Sequence, residues 1–253
     1  MAVKIKKPNE ISKIQKSGSI IAQVRDLLIK NIEPGISTWE LDRIAEEYTL
    51  SKGFKPAFKG YQNFPASICA SINDEVVHGL PSKNRILKNG DIIGIDFGVY
   101  DGEYYSDSAF TFGVGAISDD VSKLLEVTKN SLEKGIELAK PGNKIFDISK
   151  AIQECVEAEG FSVVRSYVGH GIGKELHEEP HVPNFILSEK DRNTSLKLKE
   201  GMVLAIEPMV NIGDYEVELS SDSWTVKTKD GSLSAHFEHT VAITKNGPKV
   251  LTS

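Results

Sequence analysis

Two acidic side chains stand at matching places in two segments of the sequence that resemble each other. The segment KNGDIIGIDFG begins at residue 88 and contains Asp96, and KEGMVLAIEPM begins at residue 199 and contains Glu207. In both segments a mostly apolar run follows Lys-x-Gly and leads directly into the acid. Such short apolar runs predict buried strands, and burying a carboxylate without a partner costs several kcal/mol. These acids are therefore candidates for metal or catalytic chemistry.

A third acid, Asp107, lies across a predicted hairpin from Asp96. The Asp-Gly pair at residues 101–102 favours a two-residue turn, because both central positions of that turn need positive φ. This turn pairs Tyr100 with Glu103, and it then places Asp96 directly opposite Asp107. Like charges that face each other across a ladder are destabilising. The register therefore predicts cations between the two carboxylates.

Two further residues complete a set of candidate metal ligands. Glu238 lies in HFEHTVAIT, just before another apolar run, and His170 lies in GHGIG, whose glycines allow other groups to approach closely. Any one of these acids alone is more often a solvated surface residue. Together, four carboxylates and one imidazole suit two divalent ions about 3.5–4 Å apart, with a bridging water that is nucleophilic at neutral pH. The ligand set favours Mn, Fe(II), Co or Zn, and the predicted chemistry is hydrolysis.

The sequence HEEPH at residues 177–181 matches the H-E-x-x-H zinc-protease motif, but its proline contradicts that role. The motif needs both histidines on one face of a continuous helix, and Pro180 breaks the helix directly before His181. His177 therefore stays a catalytic candidate in another role. A lone histidine such as His78, in EVVHGLP, is more often structural, but its place after an apolar run and before a glycine makes it a candidate pocket residue.

The elements that must position these residues occur twice along the chain. Apolar spacing predicts helices over 10–31 and 119–139, and a second helix follows each of them. The first of these second helices starts at Ser37 in a capping box. The two end near Gly53 and Gly160, which are 107 residues apart. The chain is therefore expected to consist of two related halves.

The predicted fold class is α+β, with helices packed against a sheet. Asp-Gly turns at 101–102 and 230–231 predict antiparallel hairpins rather than a parallel βαβ array. Because no linker separates the halves, residues 1–253 are expected to form a single catalytic domain, with internal halves of roughly 1–115 and 116–253.

The composition excludes several classes of protein. The 253 residues carry a net charge of −6, so nucleic acid is not expected as the main partner. The N-terminal MAVKIKKPNE lacks the apolar run of a signal peptide, and no stretch approaches a membrane span. Cys69 and Cys155 are the only cysteines, which favours the reducing cytoplasm.

The chain resembles the type I methionine aminopeptidases of the short bacterial kind over nearly its whole length. The motifs that carry this resemblance are SINDEVVHGLP, DIIGIDFGVYDGEYYSD, YVGHGIGKELHEEP, LAIEPM and AHFEHT. The resemblance implies the pita-bread fold, with two pseudo-symmetric halves of helices on a curved, mainly antiparallel sheet. It also implies a metal-dependent aminopeptidase that removes the initiator methionine from nascent proteins when the second residue is small.

The same resemblance assigns five metal ligands. They correspond to Asp96, Asp107, His170, Glu207 and Glu238. Asp107 and Glu238 would bridge the two ions. Asp96 would complete the ligands of one ion, and His170 with Glu207 those of the other.

Catalytic and substrate-binding roles also follow from the resemblance. His78 would assist the leaving group, His177 would polarise the scissile carbonyl and stabilise the tetrahedral intermediate, and Glu207 would shuttle the proton of the water. The methionine pocket corresponds to Tyr61, Phe64, Cys69 and Trp224. Cys69 is expected to be an apolar wall, because no activating partner lies close to it in sequence.

The expected partners are the N-termini of nascent polypeptides, and whether they are met at the ribosome stays open. The protein is expected to be a monomer that acts without a membrane. One alternative is an X-Pro dipeptidase of the same fold, but such enzymes usually carry a large N-terminal domain, for which residues before 96 leave no room. The other is a metal-free binding protein on this fold, but such relatives lose ligands and all five are present here.

Overall fold

The helices expected from the sequence are present in each half. A computed structural model describes residues 3–253. Its helices are α1 (Pro8–Ile29), α2 (Thr38–Ser51), α3 (Asp119–Leu138), α4 (Ile145–Glu157) and the short α5 (Asp191–Thr194). A 3₁₀ turn covers Tyr61–Asn63. The predicted bounds are correct to within a few residues, and the repeat of two helix pairs is confirmed.

The second helix of each pair starts in the same way. Ser37 Oγ accepts a hydrogen bond from the Glu40 N–H at 3.2 Å, and the Glu40 carboxylate accepts one from the Ser37 N–H at 3.1 Å. At the start of α4, Lys144 N–H donates to the Asp147 carboxylate at 2.8 Å. Each carboxylate satisfies an N–H that the first turn of a helix leaves free. The two helix starts lie 107 residues apart, at Thr38 and Ile145.

The strands form four small sheets, and every strand pair within residues 3–253 is antiparallel. The strands are β1 (Lys55–Pro56), β2 (Cys69–Ile72), β3 (Glu75–Val77), β4 (Ile92–Tyr100), β5 (Tyr105–Gly113), β6 (Ser162–Val163), β7 (Gly169–Gly171), β8 (Glu178–Val182), β9 (Val203–Ile206), β10 (Met209–Asn211), β11 (Val217–Leu219), β12 (Val226–Thr228), β13 (Ser234–His236), β14 (His239–Thr244) and β15 (Gly247–Val250). Two sheets position the site, with the orders β1-β4-β2, where β5 also pairs with β4, and β15-β14-β9-β7-β8. The α+β prediction is confirmed.

The register of the β4–β5 hairpin differs from the predicted one. Tyr100 pairs with Tyr105, so the loop between the strands has four residues instead of two. Asp96 therefore lies opposite Ala109, and Asp107 is its diagonal neighbour. The prediction that the two aspartates face each other directly is wrong. Both still project from the same face of the ladder, because opposed residues and residues two apart share a face.

The longer loop forms because Asp101 and Tyr104 have other partners. The Asp101 carboxylate accepts hydrogen bonds from the N–H groups of Glu103 at 2.8 Å and Tyr104 at 2.6 Å. Tyr104 leaves the ladder, buries its ring, and donates its hydroxyl to Glu10 at 2.6 Å. This tertiary contact outweighs the local preference of an Asp-Gly pair for a two-residue turn.

The second predicted hairpin, at residues 230–231, is also wrong. Gly231 has a φ of +75°, as a turn requires, and Asp230 accepts hydrogen bonds from the N–H groups of Asp214 at 2.8 Å and Ser232 at 2.9 Å. The flanking strands do not pair with each other, however. β12 pairs with β11 and β3, whereas β13 pairs with β10. The turn therefore carries the chain from one sheet to another.

The two halves meet where β5 runs beside the segment that leads into β14. Thr240 Oγ1 accepts from the Asp107 N–H at 3.0 Å and donates to the Asp107 carbonyl at 2.7 Å. Two residues away, the Glu238 N–H donates to the Ala109 carbonyl at 2.8 Å. Ser108 Oγ donates to the Glu238 carbonyl at 2.6 Å. These hydrogen bonds hold Asp107 and Glu238 side by side.

The helices pack on the face of the sheet that lies away from these acids. Val24 and Leu28 of α1 are buried in one cluster with Ile93, Ile95 and Phe97 of β4. Because side chains alternate along a strand, Asp96 points to the opposite face. Hydrophobic burial of one face thus fixes the direction of the carboxylate on the other.

Within residues 3–253, no helix is long and apolar enough to cross a membrane. Cys69 and Cys155 are both free thiols.

Candidate active site and metal centre

One cavity of about 210 Å³ gathers every side chain that the sequence singled out. The residues of that set that line it are Tyr61, Phe64, Cys69, His78, Asp96, Asp107, His170, His177, Glu207, Trp224 and Glu238. They come from both halves of the chain, and the five candidate metal ligands among them lie on β4, β5 and β7 or directly beside the ends of β9 and β14. The seam between the halves, where β5 runs beside Glu238 and β14, therefore forms the polar floor of the cavity.

Three of these side chains form a candidate metal site. Asp107, His170 and Glu238 each offer a ligand atom, and these atoms lie within 4.8 Å of one another. Oδ1 of Asp96, Oδ1 of Asp107 and Oε1 of Glu238 are buried and have no hydrogen-bond partner among the described residues. Buried carboxylate oxygens without partners are rare in folded proteins. Divalent ions would supply the missing partners, so this donor set fits them.

The carboxyl groups at the floor of the cavity resist ionisation in the absence of a cation. Burial raises the pKa of Asp96 to about 7. Burial also raises the pKa of Asp107 well above its usual range, and the charges of Glu238 and Asp96 raise it further. The pKa values of Glu207 and Glu238 are raised for the same two reasons. A bound cation stabilises the ionised forms of these carboxyl groups. The raised pKa values are therefore what a cluster of metal ligands shows when no cation is bound.

His170 presents a neutral ring nitrogen to this cluster. Burial, and then the neighbouring His177, lower the pKa of His170 to about 3. Its Nδ1 donates to the Gly171 carbonyl at 2.9 Å, which leaves Nε2 unprotonated and available as a ligand atom. Nε2 lies 3.6 Å from Oε1 of Glu207. A Cβ on Gly171 would come within 2.3 Å of the Glu179 carbonyl, so the close approach of β7 and β8 requires glycine there.

His177 stands at the mouth of the cavity, just before β8. Its Nδ1 lies 2.8 Å from the Tyr61 hydroxyl, and its ring centroid lies 4.3 Å from that of His170. Pro180 and His181 belong to β8 and not to a helix. The prediction that HEEPH does not form a zinc-protease helix is therefore confirmed.

His78 is held in an unusual backbone conformation. Its φ is +60°, in the left-handed region that non-glycine residues rarely adopt. Burial, and then His177, lower its pKa to about 4, so the ring is neutral near pH 7. It packs edge-on against Tyr167 with ring centroids 5.7 Å apart. Backbone strain of this kind is often retained where a side chain must be aimed at a ligand.

The apolar end of the cavity is a small aromatic pocket. Phe64 packs edge-on against Trp224 with ring centroids 5.1 Å apart. Cys69 lies on β2 directly opposite Asp96, and burial followed by the charges of Asp96 and Asp107 raises the pKa of its thiol. Cys69 therefore stays protonated near pH 7, and its buried side chain is suited to contact an apolar ligand.

Sequence reasoning missed two residues at this site. Tyr167 lines the cavity beside His78. His236 is buried, and its Nε2 has no hydrogen-bond partner among the described residues and lies 3.7 Å from Oε2 of Glu207. His236 and Glu238 lie two residues apart in AHFEHT, but a histidine so near an acid in sequence is too common to indicate a site. No pattern in the sequence marked Tyr167.

Comparison with known proteins gives a consistent family relationship. Residues 12–245 match the profile of metallopeptidase family M24. A methionine aminopeptidase of Aquifex aeolicus is 51% identical, with 100% of this chain and 99% of that protein covered.

Solved structures show the same fold. The crystal structure of a methionine aminopeptidase from Thermotoga maritima superimposes with a TM-score of 0.96 at 44% identity and covers 100% of both chains. The prolidase from Pyrococcus horikoshii superimposes with a TM-score of 0.79 at 26% identity, but the match covers only 63% of that longer chain. The fold is thus shared by enzymes with different substrates, so the cavity must decide between them.

Proposed function

The chain belongs to metallopeptidase family M24 and, within it, to the methionine aminopeptidases, and we propose that it removes the initiator methionine from nascent proteins whose second residue is small. The observation that carries this proposal is the cavity itself. It has a floor of four carboxyl groups around His170, two of them buried and two half-buried, and an apolar end built from Phe64, Cys69 and Trp224. The floor suits metal-assisted hydrolysis, and the apolar end suits an unbranched, uncharged side chain.

We assign two divalent ions to the floor of the cavity. Asp107 and Glu238 lie side by side where the two halves meet, so both would hold these ions. Asp96 would complete one site, and His170 with Glu207 the other. When bound, the ions supply Lewis acidity towards the scissile carbonyl and lower the pKa of a water. The chemistry of the donor set is compatible with Mn, Fe(II), Co or Zn.

The remaining polar groups of the cavity are assigned to proton transfer and charge stabilisation. The Tyr61 hydroxyl is placed to donate to Nδ1 of His177, which leaves the proton on Nε2. His177 Nε2–H then donates to the carbonyl oxygen of the scissile bond as negative charge develops there. Glu207 accepts a proton from the attacking water and passes it to the leaving amine. His78 binds the scissile amide and orients that amine.

The substrates are assigned from the shape and chemistry of the cavity. Phe64, Cys69 and Trp224 would enclose the methionine side chain, and Tyr61 would border it. The free α-amino group of the substrate would face the acidic floor. Nascent chains are the source of such N-termini, so the enzyme is assigned to the cytoplasm, where two free cysteines are chemically stable. It is expected to act as a single-domain monomer.

A peptide assay tests this function. The metal-loaded enzyme should release methionine from Met-Ala-Ser, and it should act much more slowly on the matched peptide Met-Leu-Ser. N-acetylation of Met-Ala-Ser should abolish cleavage, because the acidic floor then has no cationic amine to bind. Free methionine is measured by coupled oxidation or by chromatography.

An X-Pro dipeptide separates the proposal from its closest alternative. Prolidases share the fold and are the rival interpretation. Faster cleavage of Met-Pro than of Met-Ala-Ser would assign prolidase activity to this chain. If the protein hydrolyses neither peptide even after metal is added, the interpretation as a binding protein without catalytic metal is favoured.

Metal binding should stabilise the fold in a manner that depends on pH. The four carboxyl groups have raised pKa values in the folded state, so the folded metal-free protein binds more protons than its unfolded chain. The free energy of unfolding of the metal-free protein therefore falls as rising pH ionises these groups. Mn²⁺ at a hundredfold excess over its Kd should add about 2.7 kcal/mol. Its Kd should fall as pH rises from about 5 to about 7.5, because protons compete for the ligands. Thermal unfolding with and without a chelator measures both effects, and equal Kd values at the two pH values would contradict the assigned ligands.

A further inference from the structure

A buried ion pair lies directly beside His177, outside the residues assigned to the reaction. Lys6 Nζ donates to Oε2 of Glu178 at 2.7 Å, and the two side chains are only 5% and 2% exposed. Lysine and glutamate are almost never buried to this degree unless they are paired. Glu178 follows His177 in the chain and begins β8. The pair therefore sits at the base of the turn that carries His177.

The Glu178 carboxylate holds that turn from the inside. Its Oε1 accepts hydrogen bonds from the backbone N–H groups of Lys174 at 2.9 Å and Glu175 at 3.3 Å. Burial alone would raise the pKa of Glu178, but the hydrogen bond from Lys6 and its charge hold it below the usual range. The ionised carboxylate thus acts as an internal cap for the turn, and Lys6 keeps it ionised.

Lys6 is in turn fixed to the body of the protein. Its N–H donates to the Gly201 carbonyl at 2.7 Å. A Cβ on Gly173 would come within 2.5 Å of Lys6 Cε and within 2.9 Å of Glu178 Oε1, so the pair fills the space that this glycine leaves. The Gly173 carbonyl accepts from the Tyr105 N–H at 2.8 Å, which ties the same turn to β5. The position of the ammonium group is therefore determined from several sides.

We propose that Lys6 is a positioning residue that acts through Glu178 to hold the His177 imidazole on the substrate carbonyl, an inference that rests on the proposed peptidase function. Removing the ammonium group leaves the Glu178 carboxylate with only the half-exposed Lys4 as a cationic partner, 3.3 Å from its Oε1. The carboxylate then protonates or turns outward, and either change loosens its hold on the turn. His177 moves with the turn, away from the Tyr61 hydroxyl. A displacement of about 1 Å in a catalytic group can lower the rate by on the order of 10².

The chain offers a matched control for this proposal. Lys4 Nζ also lies near Glu178, 3.3 Å from Oε1, but Lys4 is 49% exposed. Ion pairs at the surface contribute little to the stability of a protein. Lys6→Met should lower kcat by about 10- to 100-fold with KM changed less than about threefold and metal stoichiometry unchanged. Lys4→Met should leave all three values near those of the unmodified enzyme, and Lys6→Arg should restore most of kcat.

The deciding experiment repeats Lys6→Met in the His177→Ala background. If Lys6 acts through His177, the second change lowers kcat no further, whereas multiplied losses would overturn the proposal. The Cε1–H NMR signal of His177 should shift in Lys6→Met and not in Lys4→Met, and an unshifted signal with unchanged kcat would also overturn it. If Lys6→Met does not fold, Lys6→Gln, which keeps a donor and removes the charge, takes its place. An unmodified enzyme that fails to cleave Met-Ala-Ser would refute the proposed function instead, and the NMR comparison would still test the positioning role.

Discussion

Replacing Glu238 by alanine should remove bound metal and lower kcat/KM by on the order of 10³-fold or more. The expected size follows from the several kcal/mol of transition-state stabilisation that a metal supplies to a developing oxyanion. Glu238 lies against Asp107 and His170, and its Oε1 is buried without a hydrogen-bond partner among the described residues. Metal content by mass spectrometry under native conditions, together with the Met-Ala-Ser assay, measures the two losses. Glu137→Ala, at an exposed glutamate of α3, is the matched control.

The same variant has an opposite expected effect on the metal-free fold. Burial and the charges of its neighbours raise the pKa of Glu238, and its own charge raises the pKa of Asp107. Removing one of several repelling carboxylates relieves this cost, so metal-free Glu238→Ala should unfold at a temperature no lower than the metal-free unmodified protein near pH 7. If the neighbouring carboxylates did not repel Glu238, its replacement by alanine would only create a cavity and lower the unfolding temperature. Retention of both metal and activity in Glu238→Ala would contradict the assigned ligand set.

Those parts of the site that depend on local sequence could be predicted. The apolar runs before Asp96 and Glu207 form β4 and β9, and in β4 the burial of one strand face sets the direction of Asp96. The start of α2 followed from the capping box at Ser37. The sequence repeat alone identified Asp96 and Glu207 as equivalent positions of the two halves, with no information about tertiary contacts. Periodicity and helix capping are local properties, so a single sequence contains them.

The parts that failed depend on contacts between distant segments. An Asp-Gly pair favours a tight turn, but the Tyr104 hydroxyl finds Glu10 in α1, and this contact lengthens the loop and shifts the register. At Asp230, the carboxylate binds the Asp214 N–H, and the strands on either side join different sheets. Neither partner can be identified from the turn sequence alone. The aspartates of β4 and β5 still share a face, since a shift of register by two residues preserves the alternation of side chains.

The error in register does not remove the candidate metal site, because Asp96 and Asp107 still project from the same face of the ladder. Asp96 and Asp107 are diagonal instead of directly opposed, yet burial of their carboxyl groups raises the pKa of both, and the charge of Asp96 raises that of Asp107 further. His236 shows the limit of reasoning from the sequence. Its imidazole faces Glu207 at 3.7 Å, but one histidine near an acid in sequence is too common to indicate such a contact.

His177→Ala should lower kcat by about 10²–10³ while leaving metal content and folding near those of the unmodified enzyme. The loss is expected because His177 would donate to the carbonyl oxygen only as charge develops there, so KM should change much less than kcat. Steady-state kinetics on Met-Ala-Ser with parallel metal analysis measures this. His170→Ala is the contrasting variant, because that imidazole lies with Asp107 and Glu238 and should lose metal when removed.

The second histidine of HEEPH makes this prediction discriminating. A zinc-protease helix would need His177 and His181 equally, so alanine at either position would remove the metal. In the structure His177 directly precedes β8 and lines the main cavity, whereas His181 lies within β8, the outer strand of its sheet, and its side chain is exposed. His181→Ala should therefore keep both metal and kcat. Metal loss in both variants would restore the zinc-protease interpretation, and metal loss in His177→Ala alone would make that residue a ligand. We expect both variants to retain metal and only His177→Ala to lower kcat. This result would identify His177 as an oxyanion donor and not a metal ligand, because only a donor stabilises the transition state without contributing to the affinity for the ion.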